Sequence, residues 1–265
     1  MTNHIFSIQT DPMTPFFRRI RRKLANDNKF LMYSRYAIGE IVLVVVGILI
    51  ALQINNLNEK RKNNNLERVF LNRLRVDLVI DSTYYSKRIQ DAENYISINR
   101  NFIVKLYEEQ QNNADVQNLF KNLDLNSDLL TVQNSTYKEL INDGKINLIR
   151  NRELKLALIN YYRDTEIAEK HIEEFNVFSV NNLLIAVEKI PNLLILKNNQ
   201  NIDKFDNTIM SQYEFVNDPQ SAKFQISESV ATIYFEKHKH FIIYYNDLKE
   251  KTTHLIHTIN AIIES

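Results

Sequence analysis

The sequence contains no cysteine, only three glycines and only four prolines among its 265 residues. The absence of cysteine excludes disulfide bonds, thiolate metal sites and a cysteine nucleophile, although a chain without cysteine is compatible with either redox environment. Three glycines are too few to build a glycine-rich phosphate-binding loop. Several common kinds of functional site are therefore excluded by composition alone.

Glycine and proline are both absent from Ile48 to Asp143. A β-protein needs turn residues far more often than this, whereas long helices do not. Apolar residues also recur at helical spacing in three long stretches, 66–106, 154–190 and 226–262. Helices that each carry one apolar stripe must pack on one another, so the sequence predicts an all-α fold with an antiparallel bundle of long helices.

The charges are nearly balanced overall, with 33 basic and 32 acidic residues, which argues against a polycationic nucleic-acid-binding protein. Their distribution along the chain is uneven. Residues 1–54 contain seven Lys/Arg and three Asp/Glu, a net charge of +4, and the remaining 26 basic and 29 acidic residues give −3. The basic excess therefore lies at the N-terminal end.

An apolar segment, YAIGEIVLVVVGILIALQI, extends over the 19 residues from Tyr36 to Ile54. As a helix it would span about 28 Å, close to the roughly 30 Å of a bilayer's hydrocarbon core. The uncharged part is short enough for a buried core helix, so the flanks decide between the two. Basic residues precede the segment and the polar run NNLNEKRKNNN follows it, a pattern typical of membrane helices. We predict one N-terminal transmembrane helix at 36–54, followed by an extracytoplasmic helical domain at 55–265.

The basic excess before the segment predicts a cytoplasmic N-terminus. Lys60, Arg61 and Lys62 on the far side weaken this prediction without reversing it. A cleaved signal peptide is the alternative, but about 35 residues precede the apolar run and Ala51-Leu52-Gln53 lacks a small residue at position −1. The pattern favours a signal anchor that stays in place.

Residues 13–35 form a basic amphipathic segment ahead of the predicted membrane helix. Its apolar side chains share one helix face, which suits a helix lying on the inner leaflet, with about 1 kcal/mol of attraction to anionic lipid per basic residue. A nucleic-acid-binding patch is the less favoured interpretation. Residues 1–12 are predicted to be a disordered extension, with Met13 as an alternative start. The predicted membrane-surface residues are Arg18, Arg19, Arg21, Arg22 and Lys23.

Three residues of the apolar segment share one helix face, because Glu40, Gly47 and Ala51 are seven and four positions apart. Gly47 and Ala51 form a small-xxx-small pair, which allows two membrane helices to approach closely. One interpretation is a helix–helix contact in which Glu40 finds a hydrogen bond. The alternative, incidental small residues and a carboxylate that reaches the head groups, is equally open.

The segment NSTYKELINDGKINLIRNREL, from Asn134 to Leu154, predicts a helical corner. Thr136 and Glu139 have the spacing of a capping box, and Gly144 is predicted to follow the helix end in a left-handed conformation. KINLI reads as a short extended connector, and Asn151 is predicted to cap the next helix. Residues 192–217 are rich in asparagine and predicted to be irregular; Asp218 and Pro219 then predict the start of the last helix.

The basic segment, the apolar stretch ending in QINN, and TYKELINDGKINLIRN followed by the pair Tyr161-Tyr162 are together similar to one Bacteroidota family. It is a family of single-pass membrane proteins called domain of unknown function 6090. The resemblance extends from about Met13 to the C-terminus, without a match over 191–217. It implies an inner-membrane anchor with a periplasmic helical domain, and no activity, cofactor or partner.

No catalytic or metal-binding pattern is evident. His238 and His240 point to different helix faces, and His254 and His257 share a face without a supporting third ligand, so surface or core histidines are expected. We predict no enzyme activity, no cofactor and no bound nucleic acid. The expected partners are the bilayer and either further copies of this chain or another envelope protein. The predicted function is a membrane-anchored interaction or scaffold protein; the alternative is a periplasmic ligand-sensing bundle.

Overall fold

The computed structural model describes residues 28–190, Leu193 and residues 213–264. Every regular element in this part of the chain is an α-helix or a 3-10 helix, which confirms the all-α prediction. The predicted extension 1–12 and the basic residues Arg18, Arg19, Arg21, Arg22 and Lys23 lie outside the described residues. The chain divides into two compact units, Met1–Asn64 and Asn65–Ser265. We call them the N-terminal unit and the helical unit.

Helix α1 is 79 residues long, Asn28–Leu106. This length follows from the sequence, because no glycine or proline interrupts it after Gly47. The helix ends at Leu106, where its apolar stripe ends. There the amide of Tyr107 donates to the carbonyl of Val104 at 3.3 Å, an i→i−3 bond that tightens the last turn.

The helical unit is built from α1, α4 (Arg152–Lys189) and α5 (Ala222–Glu264). Helix α5 runs antiparallel to α4, because its residue Lys251 pairs with Asp164 at 2.9 Å and its earlier residue Phe241 contacts the later Phe175. The largest core cluster includes Leu74, Leu78, Tyr85, Leu158, Tyr161, Ile172, Phe241, Tyr245, Leu255 and Ile259.

Helices α1 and α4 run parallel to each other, in contrast to a simple up-and-down bundle. Tyr85 of α1 meets Tyr161 of α4, and farther along Phe102 lies in the same cluster as Ile190. Because the two helices are parallel, the chain must run back from the end of α1 to the start of α4. The return path consists of α2 (Asn113–Lys121) and residues 123–134, which form neither helix nor strand. We call residues 123–134 the strap.

The predicted corner is present, with one change at its start. Helix α3 (Ser135–Asn142) begins after Asn134, and no side chain caps it, so Thr136 lies buried inside the first turn rather than capping the helix. Gly144 has φ 66° and ψ 13°, the left-handed conformation that was predicted. Asn151 caps α4 as predicted, its side-chain oxygen accepting from the amide of Leu154 at 2.9 Å.

Two side-chain contacts fasten this corner to α1. Glu139, predicted to complete the capping box, instead pairs with Arg73 of α1 at 2.7 Å. The buried carboxylate of Glu67 accepts from the backbone amide of Arg150 at 2.8 Å and from its Nε at 2.6 Å. The connector Lys145–Leu148 is a 3-10 helix, not the extended segment that was predicted. A turn of 3-10 helix keeps the corner short enough for both contacts.

The last helix begins later than predicted. Asp218 closes a turn, its carbonyl accepting from the amide of Ser221 at 2.9 Å, and α5 then begins at Ala222 with the Ser221 hydroxyl accepting from the amide of Phe224. Part of the predicted irregular region is ordered, because Glu214–Asn217 form a 3-10 helix. Leu193, Tyr213, Phe215 and Val216 are buried.

We predict that Gly144→Ala costs about 1–2 kcal/mol, the penalty for a side chain in the left-handed region. A Cβ at this position would meet nothing within 4 Å, so the cost comes from the backbone alone. Gly144→Asn is the control and is expected to cost less, since asparagine tolerates this region better. Urea unfolding followed by circular dichroism measures both, and equal stability of the alanine variant and the wild type would contradict the assignment.

Candidate functional site

The apolar segment of the N-terminal unit is exposed over its whole length. Every residue from Arg35 to Asn63 is exposed, including the aliphatic residues between Ile41 and Ile54. By length and composition α1 contains one stretch long and apolar enough to cross a membrane, the single such stretch among the residues described, and none of its most apolar window is buried. Exposed apolar surface of this extent marks a contact with lipid or protein.

Glu40, Gly47 and Ala51 all lie in this exposed part of α1. A Cβ added to Gly47 or to Gly39 would meet nothing within 4 Å. Within the described part of the N-terminal unit, no close contact of the chain with itself therefore requires a glycine at either position. The predicted contact through this face remains a prediction about a partner helix.

The helical unit contains a second candidate, a set of buried polar side chains that hold the strap. Residues 124–133 form no backbone–backbone hydrogen bonds within the described structure, although extended backbone must have its polar groups satisfied when it is buried. Side chains of three helices bond to the strap instead. They are Asp81, Tyr84 and Asn99 of α1, Asn176 and Tyr162 of α4, and Lys237 of α5.

The first end of the strap is anchored at Asp124, which is 3% exposed. Its amide donates to Asn99 Oδ1 at 2.9 Å, and its carboxylate oxygen Oδ2 lies 3.2 Å from Nε2 of His238. His238 is fully buried, and its ring also contacts Tyr95, with 4.9 Å between centroids. Burial lowers the pKa of this imidazole because the charged form loses its hydration, with Asp124 acting in the opposite direction.

Lys237 lies beside this anchor and is 1% exposed. Its ammonium donates to the carbonyl of Asn126 at 2.5 Å and lies 4.0 Å from the centre of the Tyr234 ring. Burial lowers the pKa of Lys237 to about 8, with the carboxylates of Asp124 and Asp128 acting in the opposite direction. A buried cation is tolerated here because a carbonyl, an aromatic face and two acidic neighbours surround it.

The second end of the strap is anchored at Asp81, which is 1% exposed. Asp81 Oδ1 accepts from the amide of Gln133 at 2.8 Å, and Oδ2 accepts from the Tyr161 hydroxyl at 2.8 Å. Because Tyr161 donates to Asp81, the Tyr85 hydroxyl 2.9 Å away donates to Tyr161. Burial raises the pKa of Asp81 to about 6, although both hydrogen bonds oppose the shift. Burial likewise raises the pKa of Tyr161.

The middle of the strap is bound by an ion pair and by two hydrogen bonds from side chains to its carbonyl groups. Arg88 of α1 pairs with Asp128 of the strap at 2.7 Å and with Asp91 at 2.8 Å. The Asn176 amide donates to the carbonyl of Asp128 at 2.8 Å, and the Tyr84 hydroxyl donates to the next carbonyl. Side chains of α1 and α4 therefore bind the strap between its two ends.

The histidines lie where the sequence analysis expected, in the core or at the surface. His238 is buried, whereas His240, His254 and His257 are exposed. Across the described ranges, no three His, Asp or Glu side chains are arranged to hold a metal ion. Asp124 lies at the first end of the strap and Asp81 contacts its second end, so each carboxylate has a different set of partners.

A scan against protein-family models matches residues 40–218 to a family described as "Family of unknown function (DUF6090)". The match is shorter at both ends than the resemblance deduced from the sequence, and it includes 191–217, which that resemblance left unmatched. No curated protein and no solved structure gave a significant match.

Proposed function

We propose that this chain, which belongs to the DUF6090 family of unknown function, is a membrane-anchored helical interaction protein of the cell envelope. The observation that carries the proposal is the exposed apolar segment of α1. It is followed in the same chain by a separate helical unit with its own core. A bilayer anchor and an independent folded unit are the two parts that such a protein needs.

A lipid bilayer is the environment that best accounts for the exposed apolar segment. Residues of a core helix are buried by the protein's own packing, whereas Ile41–Ile54 are exposed throughout. Burying this surface in lipid is favourable by about 25 cal/mol per Å² of apolar area. The proposal places the helix in the inner membrane as a single span. The basic residues before it favour a cytoplasmic N-terminus and a periplasmic helical unit.

The proposed interaction runs through the helix face formed by Glu40, Gly47 and Ala51. Two small residues four positions apart let a second helix approach closely, and a carboxyl group near the end of the span can then donate or accept a hydrogen bond. The partner is another copy of this chain or a second envelope protein. The proposal assigns no catalytic role, no cofactor and no nucleic-acid partner.

Gly47→Ile is expected to reduce cross-linking between neighbouring copies or to a captured partner, since the added side chain separates the helices. Gly39→Ile is the matched control. It adds the same bulk about 80° around the helix, at 100° per residue, and neither added Cβ meets protein within 4 Å. Cross-linking of tagged protein in intact membranes, followed by mass spectrometry, measures the effect. Equal capture by the two variants would remove this face from the proposal.

A periplasmic ligand-sensing bundle is a second candidate. The observation that favours it is the set of buried ionisable side chains at the two ends of the strap. Buried polar networks of this kind are costly and are found at functional sites. A ligand present at 100 times its dissociation constant would add about 2.7 kcal/mol to the stability of the helical unit. A thermal-shift screen of small molecules tests this candidate, and the absence of any shift across a broad library would count against it.

A further inference from the structure

The strap is fixed at its two ends by buried ionisable groups of different kinds. At the first end, the imidazole of His238 faces Asp124 at 3.2 Å. At the second end, the carboxylate of Asp81 accepts from the amide of Gln133 at 2.8 Å. Each of these groups is nearly or completely buried. One is a base and the other an acid, so opening the two ends exposes groups that respond to protons in opposite ways.

We propose that the strap is a pH-responsive clamp, in which acidification from pH 7.5 to 5.5 loosens its Asp124 end and tightens its Gln133 end. This inference concerns the helical unit alone and goes beyond the proposed function. It does not depend on the membrane anchor or on the identity of any partner.

At the first end, His238 takes up a proton more readily when the strap is open. The groups facing it are Asp124 and Asp128 of the strap, Lys237 of its own helix and Tyr95 of α1. Among the described contacts at this end, α4 contributes uncharged side chains, Phe175 and Asn176. Arg88 and Asp91 of α1 lie beyond Tyr95 and pair with each other.

The neutral imidazole is therefore the form that fits the closed strap. Its pKa in the closed state lies below the ordinary value of 6.5, so the contribution of His238 to closure is complete above pH 6.5 and is lost as the pH falls. Lys237 is largely protonated throughout this pH range, so its own titration changes the free energy of opening little. Opening at this end should become more favourable between pH 7.5 and 5.5 by up to about tenfold, the limit set by the ordinary pKa of 6.5.

At the second end, Asp81 takes up a proton more readily when the strap is closed. It is faced by Gln133 of the strap, by Tyr161 and Tyr162 of α4, and by Asp77 and Tyr85 of its own helix. Opening this end admits water to the carboxylate. Because its pKa in the closed state is about 6, against 3.8 in water, acidification to pH 5.5 favours closure by about fourfold.

The two anchoring amides are themselves the reporters. Asp124 and Gln133 each donate a backbone N–H to the oxygen of a buried side chain, so exchange of either amide requires its end of the strap to open. Hydrogen exchange of the full chain in detergent micelles, read residue by residue at pH 7.5 and 5.5 and divided by the intrinsic rates, compares them within one molecule. We expect protection of the Asp124 amide to fall by up to about tenfold and that of the Gln133 amide to rise by up to about fourfold.

Two substitutions separate the ends. His238→Gln keeps an amide that can donate to Asp124 but cannot titrate, and should abolish the change at Asp124 alone. Asp81→Asn should abolish the change at Gln133 alone. His240→Gln, at an exposed neighbouring position, should leave both changes intact. If His238→Gln does not fold, the opposite responses of the two amides in the wild type still decide the question. Protection that changes equally at both ends, or at neither, would overturn the proposal.

Discussion

A fragment that begins at Asn58 is expected to remain in the soluble fraction after cell lysis, whereas the full chain is expected to require detergent. The truncation removes the exposed apolar residues Ile41–Ile54 and leaves the helical unit, Asn65–Ser265, complete. Its core clusters lie entirely within the retained residues. Ultracentrifugation of lysates followed by immunoblotting measures the distribution, and circular dichroism of the soluble fragment tests whether it is folded.

A second truncation provides the control. A fragment that begins at Asn28 also lacks the basic residues Arg18, Arg19, Arg21, Arg22 and Lys23 but retains all of α1, so it should stay with the membranes. This pair of fragments separates the contribution of the apolar helix from that of the basic residues before it. Recovery of the full chain in the soluble fraction would mean that protein, not lipid, covers the apolar segment, and it would remove the basis of the proposed anchor.

The orientation can be tested with the same full-length protein. A reporter that is active only outside the cytoplasm, fused after Ser265, is expected to be active, because the basic excess precedes the apolar segment. An inactive fusion, with an active one obtained when a cytoplasm-specific reporter is used, would reverse the proposed topology.

The features that the sequence predicts well are those determined by local backbone chemistry. Gly144 adopts the left-handed conformation because only glycine enters it without strain, and Asn151 caps α4 through a contact three residues away. The long α1 follows from the absence of breakers. The predicted capping box at the start of α3 is absent, and Glu139 pairs with Arg73 of another helix instead. A tertiary ion pair of this kind leaves no local signal.

The strap was missed because its residues 123–134 lack helical periodicity and contain neither glycine nor proline, and because their partners are distant in sequence. A signal was nevertheless present in the helices. Asp81 occupies a core position in register with Leu74, Leu78 and Tyr85, at spacings of four, three and four residues. Lys237 and His238 likewise interrupt the apolar stripe of α5. Polar residues at core positions of otherwise apolar stripes predict a buried polar partner, even when that partner cannot be identified.

Asp81→Ala is expected to destabilise the helical unit, because the amide of Gln133 and the hydroxyl of Tyr161 would lose their acceptor. Each buried donor left unsatisfied costs about 1–3 kcal/mol. Asp81→Asn is the matched control, since its side-chain oxygen still accepts from Gln133 and its amide donates to the oxygen of Tyr161. We expect the asparagine variant to be more stable than the alanine variant by about 2–6 kcal/mol in urea unfolding.

The comparison of the wild type with Asp81→Asn also has a pH dependence of defined sign. The pKa of Asp81 rises from 3.8 in the unfolded chain to about 6 in the folded one, so the folded state binds the proton more tightly. The resulting stabilisation is complete below pH 3.8 and is lost as the pH rises through 6. Between pH 4 and pH 7 the wild type should therefore lose about 2.4 kcal/mol relative to the asparagine variant. Using the difference between the two proteins cancels the titration of all other groups. A difference that stays constant over this range would show that Asp81 is hydrated in the folded protein, and the buried anchor of the strap would then have to be placed elsewhere.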